Sequence, residues 1–169
     1  MYIFYFGEKY SKPLNASVDL PGGKKDFVKI GSYGIGVSRL VAAIIEAKYD
    51  DKEETMKWPL SVAPYECAII PMINKKDALL DVNLIKSEQI YNYLIKKNID
   101  TIVDDTDENL SSKIKKFNLI GVPYQIILGK NSNGDVLEFK EIGKETQKLK
   151  IDQIISLINE QKAKNWFLY

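Results

Sequence analysis

Histidine is absent from this 169-residue sequence, and cysteine and arginine occur once each, as Cys67 and Arg39. Without histidine the commonest general base and metal ligand is gone, and a single cysteine makes neither an internal disulfide nor a thiolate zinc cluster. Metal sites and histidine-dependent triads are therefore not expected in this chain. Long hydrophobic runs are also lacking: stretches such as Cys67 to Ile73 fall far short of the roughly 20 residues that span a bilayer, and Met1 is not followed by a basic leader. A soluble, cytoplasmic protein with no membrane partner is expected. Charge of one sign is lacking too, since 24 basic and 23 acidic residues leave a net charge of +1. Any contact with nucleic acid must be a local patch.

What is present is globular composition, 45% hydrophobic and 28% charged. The length suits one domain, or a short leading segment and a compact domain of roughly 100 residues. All basic residues but Arg39 are lysine. A position that stays arginine under such a bias calls for a planar, bidentate fork able to stack on a ring and grip phosphate, although an isolated surface arginine also fits.

The chain divides between Asp50 and Pro64, where Asp50, Asp51, Glu53 and Glu54 precede Trp58-Pro59 and Ala63-Pro64. The expected organisation is a leading segment at 1–50, a linker at 51–63 and a domain at 64–169. In the leading segment, strands are expected from Tyr2 to Phe6, then from Asn15 to Leu20 and Phe27 to Gly31 on either side of Pro21-Gly22-Gly23. Leu40, Val41, Ile44 and Ile45 mark a helix face between Val37 and Lys48. So few elements bury too little apolar surface alone, and the segment needs either the second domain or the rest of a larger domain.

Beyond the linker the expected order is a strand from Cys67 to Met72, a helix from Val82 to Lys97 and a strand from Thr101 to Asp104. A helix from Glu108 to Phe117 and a strand from Tyr124 to Leu128 follow. After a turn at Asn133-Gly134, strands are expected from Val136 to Lys140 and Thr146 to Lys150. Ile151, Ile154, Ile155 and Ile158 repeat at helical spacing and mark a last helix. The fold class is α/β, a mixed sheet of about five strands covered by three helices.

The segment Gly31-Ser32-Tyr33-Gly34-Ile35-Gly36-Val37-Ser38-Arg39 joins a strand to a helix. Its spacing matches neither a P-loop nor a dinucleotide fingerprint. Alternating glycines strip one strand face of side chains and leave a flat floor for a ligand ring or another backbone, with Arg39 beside it. Gly34-Ile35-Gly36-Val37-Ser38-Arg39-Leu40 resembles the third signature motif of class II aminoacyl-tRNA synthetases. Together with Ile3-Phe4-Tyr5-Phe6-Gly7-Glu8-Lys9-Tyr10-Ser11 and Asn15-Ala16, it resembles the bacterial prolyl-tRNA synthetases along essentially the whole chain.

That resemblance implies that Arg39, the one catalytic candidate, stacks on the adenine of ATP and binds its γ-phosphate, steadying attack of the proline carboxylate on the α-phosphate. It implies ATP binding by Gly34, Gly36 and Arg39, and proline binding by Ser32 and Gly34. ATP would be a substrate, with magnesium in the complete enzyme and no metal held by this chain. The first two class II motifs are not in the sequence, and Met1-Tyr2 stands where the family has a Gly-His pair. The chain alone is therefore expected not to activate proline, and to need the missing catalytic portion or a homodimer partner.

From about Pro64 the order of elements resembles the anticodon-binding domain of several class II synthetases, with Ile102-Val103-Asp104-Asp105 and Leu119-Ile120-Gly121-Val122-Pro123 fitting its pattern. Thr106, Asn109 and Gln125 stand where that family often has arginine, which weakens bidentate base reading there. Lys113, Lys115 and Lys116 are the expected contacts to proline tRNA phosphates, and Phe117 or Tyr124 are candidate stacking platforms. A merely solvated lysine face and two core aromatics fit the same pattern. Trp166, Phe167 and Tyr169 form an aromatic cluster at the end. The leading reading is the C-terminal part of a proline-tRNA ligase; the alternative is a stand-alone, non-catalytic tRNA-binding or accessory protein that reuses the anticodon-binding fold.

Overall fold

The structure is a computed structural model that describes residues 2–73, 82–130 and 134–166. Asn133 of the expected turn, and Phe167 and Tyr169 of the aromatic cluster, lie outside the described residues. The chain forms two compact units divided between Ile44 and Ile45.

In the first unit, β1 (Tyr2–Gly7) and β2 (Ser17–Asp19) are followed by β3 (Lys25–Phe27), β4 (Ile30–Gly34) and α1 (Val37–Lys48), whose last residues cross the division. β2 and β3 form the hairpin that Pro21-Gly22-Gly23 implied, closed by the Leu20 N–H donating to the Lys24 carbonyl at 2.7 Å. Gly22 and Gly23 sit at φ of 90° and 78°, backbone geometry that L side chains rarely adopt. The single strand expected from Phe27 to Gly31 is two. Val28 makes the last hairpin bond, to the Ala16 carbonyl, after which Ile30 to Gly34 pair antiparallel with β1 instead. α1 has the expected bounds and no buried residue.

The second unit opens with a small hairpin of β5 (Tyr49–Asp50) and β6 (Thr55–Met56). The Asp50 carboxylate accepts the N–H groups of Lys52 and Glu53, and the Lys57 ammonium lies 2.7 Å from it. The stretch 51–63, expected as a linker, is thus ordered: Thr55 and Met56 are buried, and Leu60–Val62 form a 3-10 turn whose Leu60 packs on the core.

The remaining elements are β7 (Cys67–Pro71), α2 (Val82–Lys96), β8 (Thr101–Val103), α3 (Leu110–Ile120), β9 (Tyr124–Leu128), β10 (Val136–Glu141), β11 (Gln147–Lys150) and α4 (Ile151–Trp166). The sheet order is β11-β10-β9-β7-β8, with β7 parallel to both β8 and β9, and β10 antiparallel to its two neighbours. This is the expected mixed five-stranded sheet with three helices.

Strand alternation sends side chains to opposite faces, so a strand covered on both sides is apolar throughout. β7 and β9 show it. Cys67, Ile69, Tyr124, Ile126 and Leu128 enter one core with Ile90 and Leu94 of α2 and Ile154, Ile155 and Ile158 of α4. Ala68 and Ile70 enter a smaller core with Phe117 of α3 and Val122. Each such fully buried aliphatic or aromatic side chain contributes about 1.5–3 kcal/mol.

α3 begins and ends later than its apolar pattern suggested, because caps set its limits. The Asn109 side chain accepts the Ser112 N–H at 2.9 Å, and Gly121, at φ 82°, donates its N–H to the Phe117 carbonyl. The Trp58 indole N–H reaches the Ile120 carbonyl at 2.9 Å, satisfying another group that the helix end leaves open.

Candidate functional site

In the first unit, β4 carries Gly31 opposite Tyr5 and Ser32 opposite Phe4. Ser32 and Gly34, two residues apart on one strand, share a face. Both are exposed. A methyl group added to Gly34 would meet nothing within 4 Å, so packing inside this unit does not demand a glycine there. Gly36 lies beyond the strand, where its carbonyl accepts the Leu40 N–H at 3.0 Å as α1 begins. An added Cβ there would stand 3.7 Å from the Cβ of Arg39, which sits exposed in the first turn of the helix. Ser32, Gly34, Gly36 and Arg39 are thus gathered on the exposed strand-to-helix turn of one unit.

In the second unit, α3 follows the loop from Asp104 to Asn109, at the C-terminal ends of the parallel strands β7 and β8, the end of such a sheet at which ligands characteristically bind. The three lysines of α3 have three different environments. Lys115 is exposed. Lys116 is half-buried, its ammonium 2.8 Å from one oxygen of Asp104 and 3.6 Å from Glu108. Lys113 is fully buried: its ammonium donates at 3.0 Å to the Pro71 carbonyl and at 3.0 Å to the Asp104 carbonyl, with an Asp104 carboxylate oxygen at 3.7 Å.

The expectation of Lys113 as a phosphate contact is corrected by this burial, because it has no surface to offer. The signal was available: Lys113 precedes the core residue Phe117 by one helical turn, and residues spaced i, i+4 share a face. Phe117 and Tyr124 are buried as well, so neither is a platform for a splayed base.

Asp104 was singled out only as part of a pattern, yet it organises this region. One carboxylate oxygen accepts both the backbone N–H and the hydroxyl of Thr106, while the other faces Lys116. Burial alone pushes the Asp104 carboxyl up, but the hydrogen bonds from Lys116 and Thr106 and the Lys113 charge outweigh it and hold the group below the usual carboxylate value. Desolvation pulls the Lys113 ammonium below its ordinary value, only partly offset by Asp104.

The three positions where arginine was looked for have other tasks. Thr106 binds Asp104, Asn109 caps α3, and Gln125 is fully buried with its amide N–H donating to the Asn118 side chain at 3.0 Å. An open groove of about 990 Å³, walled by Ile85, Ile90 and Leu137 and rimmed by Lys86 and Lys150, lies along α2 on the other face of the sheet from α3. Among the described residues no helix is long and apolar enough to cross a membrane, and no three Cys, Asp or Glu side chains gather to hold a metal ion.

Residues 66–161 match the family described as anticodon binding domain. The chain is 72% identical over 97% of its length to a proline-tRNA ligase of Pelagibacter ubique, and 43% identical over 94% to one of a Wolbachia species from Brugia malayi. A Buchnera aphidicola proline-tRNA ligase is 42% identical over 88%. The chain covers 36%, 36% and 25% of these three proteins, about a third of the length of the curated relatives it matches.

Proposed function

The chain belongs to the anticodon binding domain family, and from that premise we propose that it is the C-terminal part of a bacterial-type proline-tRNA ligase. In this reading the whole enzyme activates proline with ATP and transfers it to proline tRNA in the cytoplasm, and the second unit holds the anticodon region. The observation that carries the reading is the 72% identity to a proline-tRNA ligase across 97% of this chain, both units included.

In the first unit, Arg39 is assigned to the adenine ring and γ-phosphate of ATP, with Gly34 and Gly36 as the bare floor beneath the nucleotide. A guanidinium suits both roles, since it stacks on rings and forks onto phosphate oxygens. Its part in catalysis is to hold the nucleotide in line and to offset charge on the leaving group. Ser32 and Gly34, on one strand face, are assigned to the proline side. Magnesium supplies charge neutralisation for such transfers when bound.

In the second unit, Lys115 and the exposed part of Lys116 are assigned to tRNA phosphates. The exposed carboxylates of Asp105, Asp107 and Glu108, on the loop from Asp104 to Asn109, are assigned to the bases. Bases in single-stranded loops are read by hydrogen bonds on their edges, which these groups can make. The test is a competition titration of the 169-residue chain with proline tRNA and with the same tRNA carrying an altered anticodon. Tighter binding of the native tRNA is expected, and equal affinities would refute the reading.

A further inference from the structure

Lys113 joins parts of the second unit that no other side chain joins among the described hydrogen bonds and ion pairs. Its ammonium binds the carbonyl of Pro71 at the end of β7 and the carbonyl of Asp104 just beyond the end of β8. One Asp104 carboxylate oxygen lies toward that charge and accepts from Thr106, the other faces Lys116, and Lys116 reaches Glu108. One fully buried cation thus ties two strand ends to the loop that leads into α3.

Stability alone does not account for a lysine here. Replacing buried ions with well-packed apolar side chains of similar volume is commonly neutral or favourable, so a buried ion is weak evidence for stability, and in some proteins such groups fix a single geometry instead. The geometry fixed here is that of the loop from Asp104 to Asn109, at the strand ends where ligand-reading loops cluster. Desolvation of Lys113 fits a charge kept for its directed bonds.

We propose that Lys113 is a positioning residue for RNA recognition: a buried strut that sets the loop from Asp104 to Asn109 against the ends of β7 and β8 without touching RNA. The proposal rests on the tRNA-binding reading of this unit.

The experiment compares the 169-residue chain with Lys113→Met, Lys115→Met and Lys113→Gln, each titrated with native and altered-anticodon proline tRNA over a range of salt, under conditions where circular dichroism shows the variant folded. Lys113→Met is expected to lose about tenfold in the ratio of the two affinities, because misplaced base contacts cost discrimination, while its salt slope stays that of the parent. Lys115→Met is the reference for a phosphate contact, expected to lower the slope by about 0.7–0.9 with the ratio kept.

A Lys113→Met protein with the parent's ratio has only a structural lysine there, and one whose slope falls as Lys115→Met does has a phosphate contact; either overturns the proposal. Should Lys113→Met not fold, Lys113→Gln decides, since it removes the charge at the same position and keeps a polar donor there. A reduced ratio supports the strut, and an unchanged ratio overturns it. Failure of the parent chain itself to discriminate removes the tRNA-binding reading, an outcome distinct from discrimination that survives loss of Lys113.

Discussion

The residues that carry the glycine-arginine motif lie exposed on a two-stranded sheet and a helix with no buried residue, whereas the lysine helix of the second unit is built into a two-sided core. In the first unit the motif residues are defined by what they do not fill. Gly34 leaves open space, and a methyl on Gly36 would meet only its own helix's Arg39. In the second unit each polar residue near the loop is defined by a partner: Lys113 by carbonyls, Thr106 by Asp104, Asn109 by the α3 backbone. Roles that depend on bareness can be read locally. Roles that depend on partners require the fold.

The largest expected effect breaks the second unit while sparing the first. Phe139, buried in the larger core and stacked at 5.6 Å on Tyr124, should cost about 3–5 kcal/mol on replacement by alanine. Leu40→Ala, on the exposed helix α1, should stay within about 0.5 kcal/mol. Urea unfolding followed by far-ultraviolet circular dichroism, to which the helices of both units contribute, checks the two variants. Equal shifts for the two variants would erase the contrast.

Gly121→Ala comes next. It places a β-carbon at φ 82°, which costs about 1–2 kcal/mol, and 2.6 Å from the Met56 carbonyl, where overpacking adds about 1–3 kcal/mol. A fall in the urea midpoint with an unchanged urea slope is expected. No shift would mean that the 55–58 stretch does not sit on α3.

These contacts explain what the sequence concealed. The bounds of α1 and β9 were legible because apolar pattern and turn residues agreed there. The acidic stretch with Trp58-Pro59 looked like a linker because the indole's partner, Ile120, is 62 residues away. Lys113 looked like surface because neighbouring Lys115 and Lys116 suggested a charged face, while its spacing to Phe117 said otherwise. The motif around Arg39 needed no fold to be seen, since its residue types and spacing carry it.

The acid limb of stability should sharpen the contrast further. The lowered Asp104 carboxyl contributes stability that is complete above its ordinary value of 3.8 and is lost as pH falls through the lowered value. Lys113 and Lys116, which face it, stay protonated through that range, and Glu108 faces Lys116 rather than Asp104. The stability gap between the parent and Asp104→Asn should therefore narrow below about pH 4. A gap constant from neutral pH into strong acid would contradict this.

The smallest effect is at the cap. Asn109→Ala should cost about 1 kcal/mol by orphaning the Ser112 N–H. Thermal unfolding checks it, and an unchanged midpoint would show that solvent replaces the cap.

The division of labour between the two units is tested most directly by amide hydrogen exchange of the 169-residue chain with and without proline tRNA. Slowed exchange is expected from Asp104 to Lys116 and none from Ile30 to Lys48. Protection confined to Ile30 to Lys48, with the loop and the start of α3 unchanged, would contradict the assignment of RNA binding to the second unit.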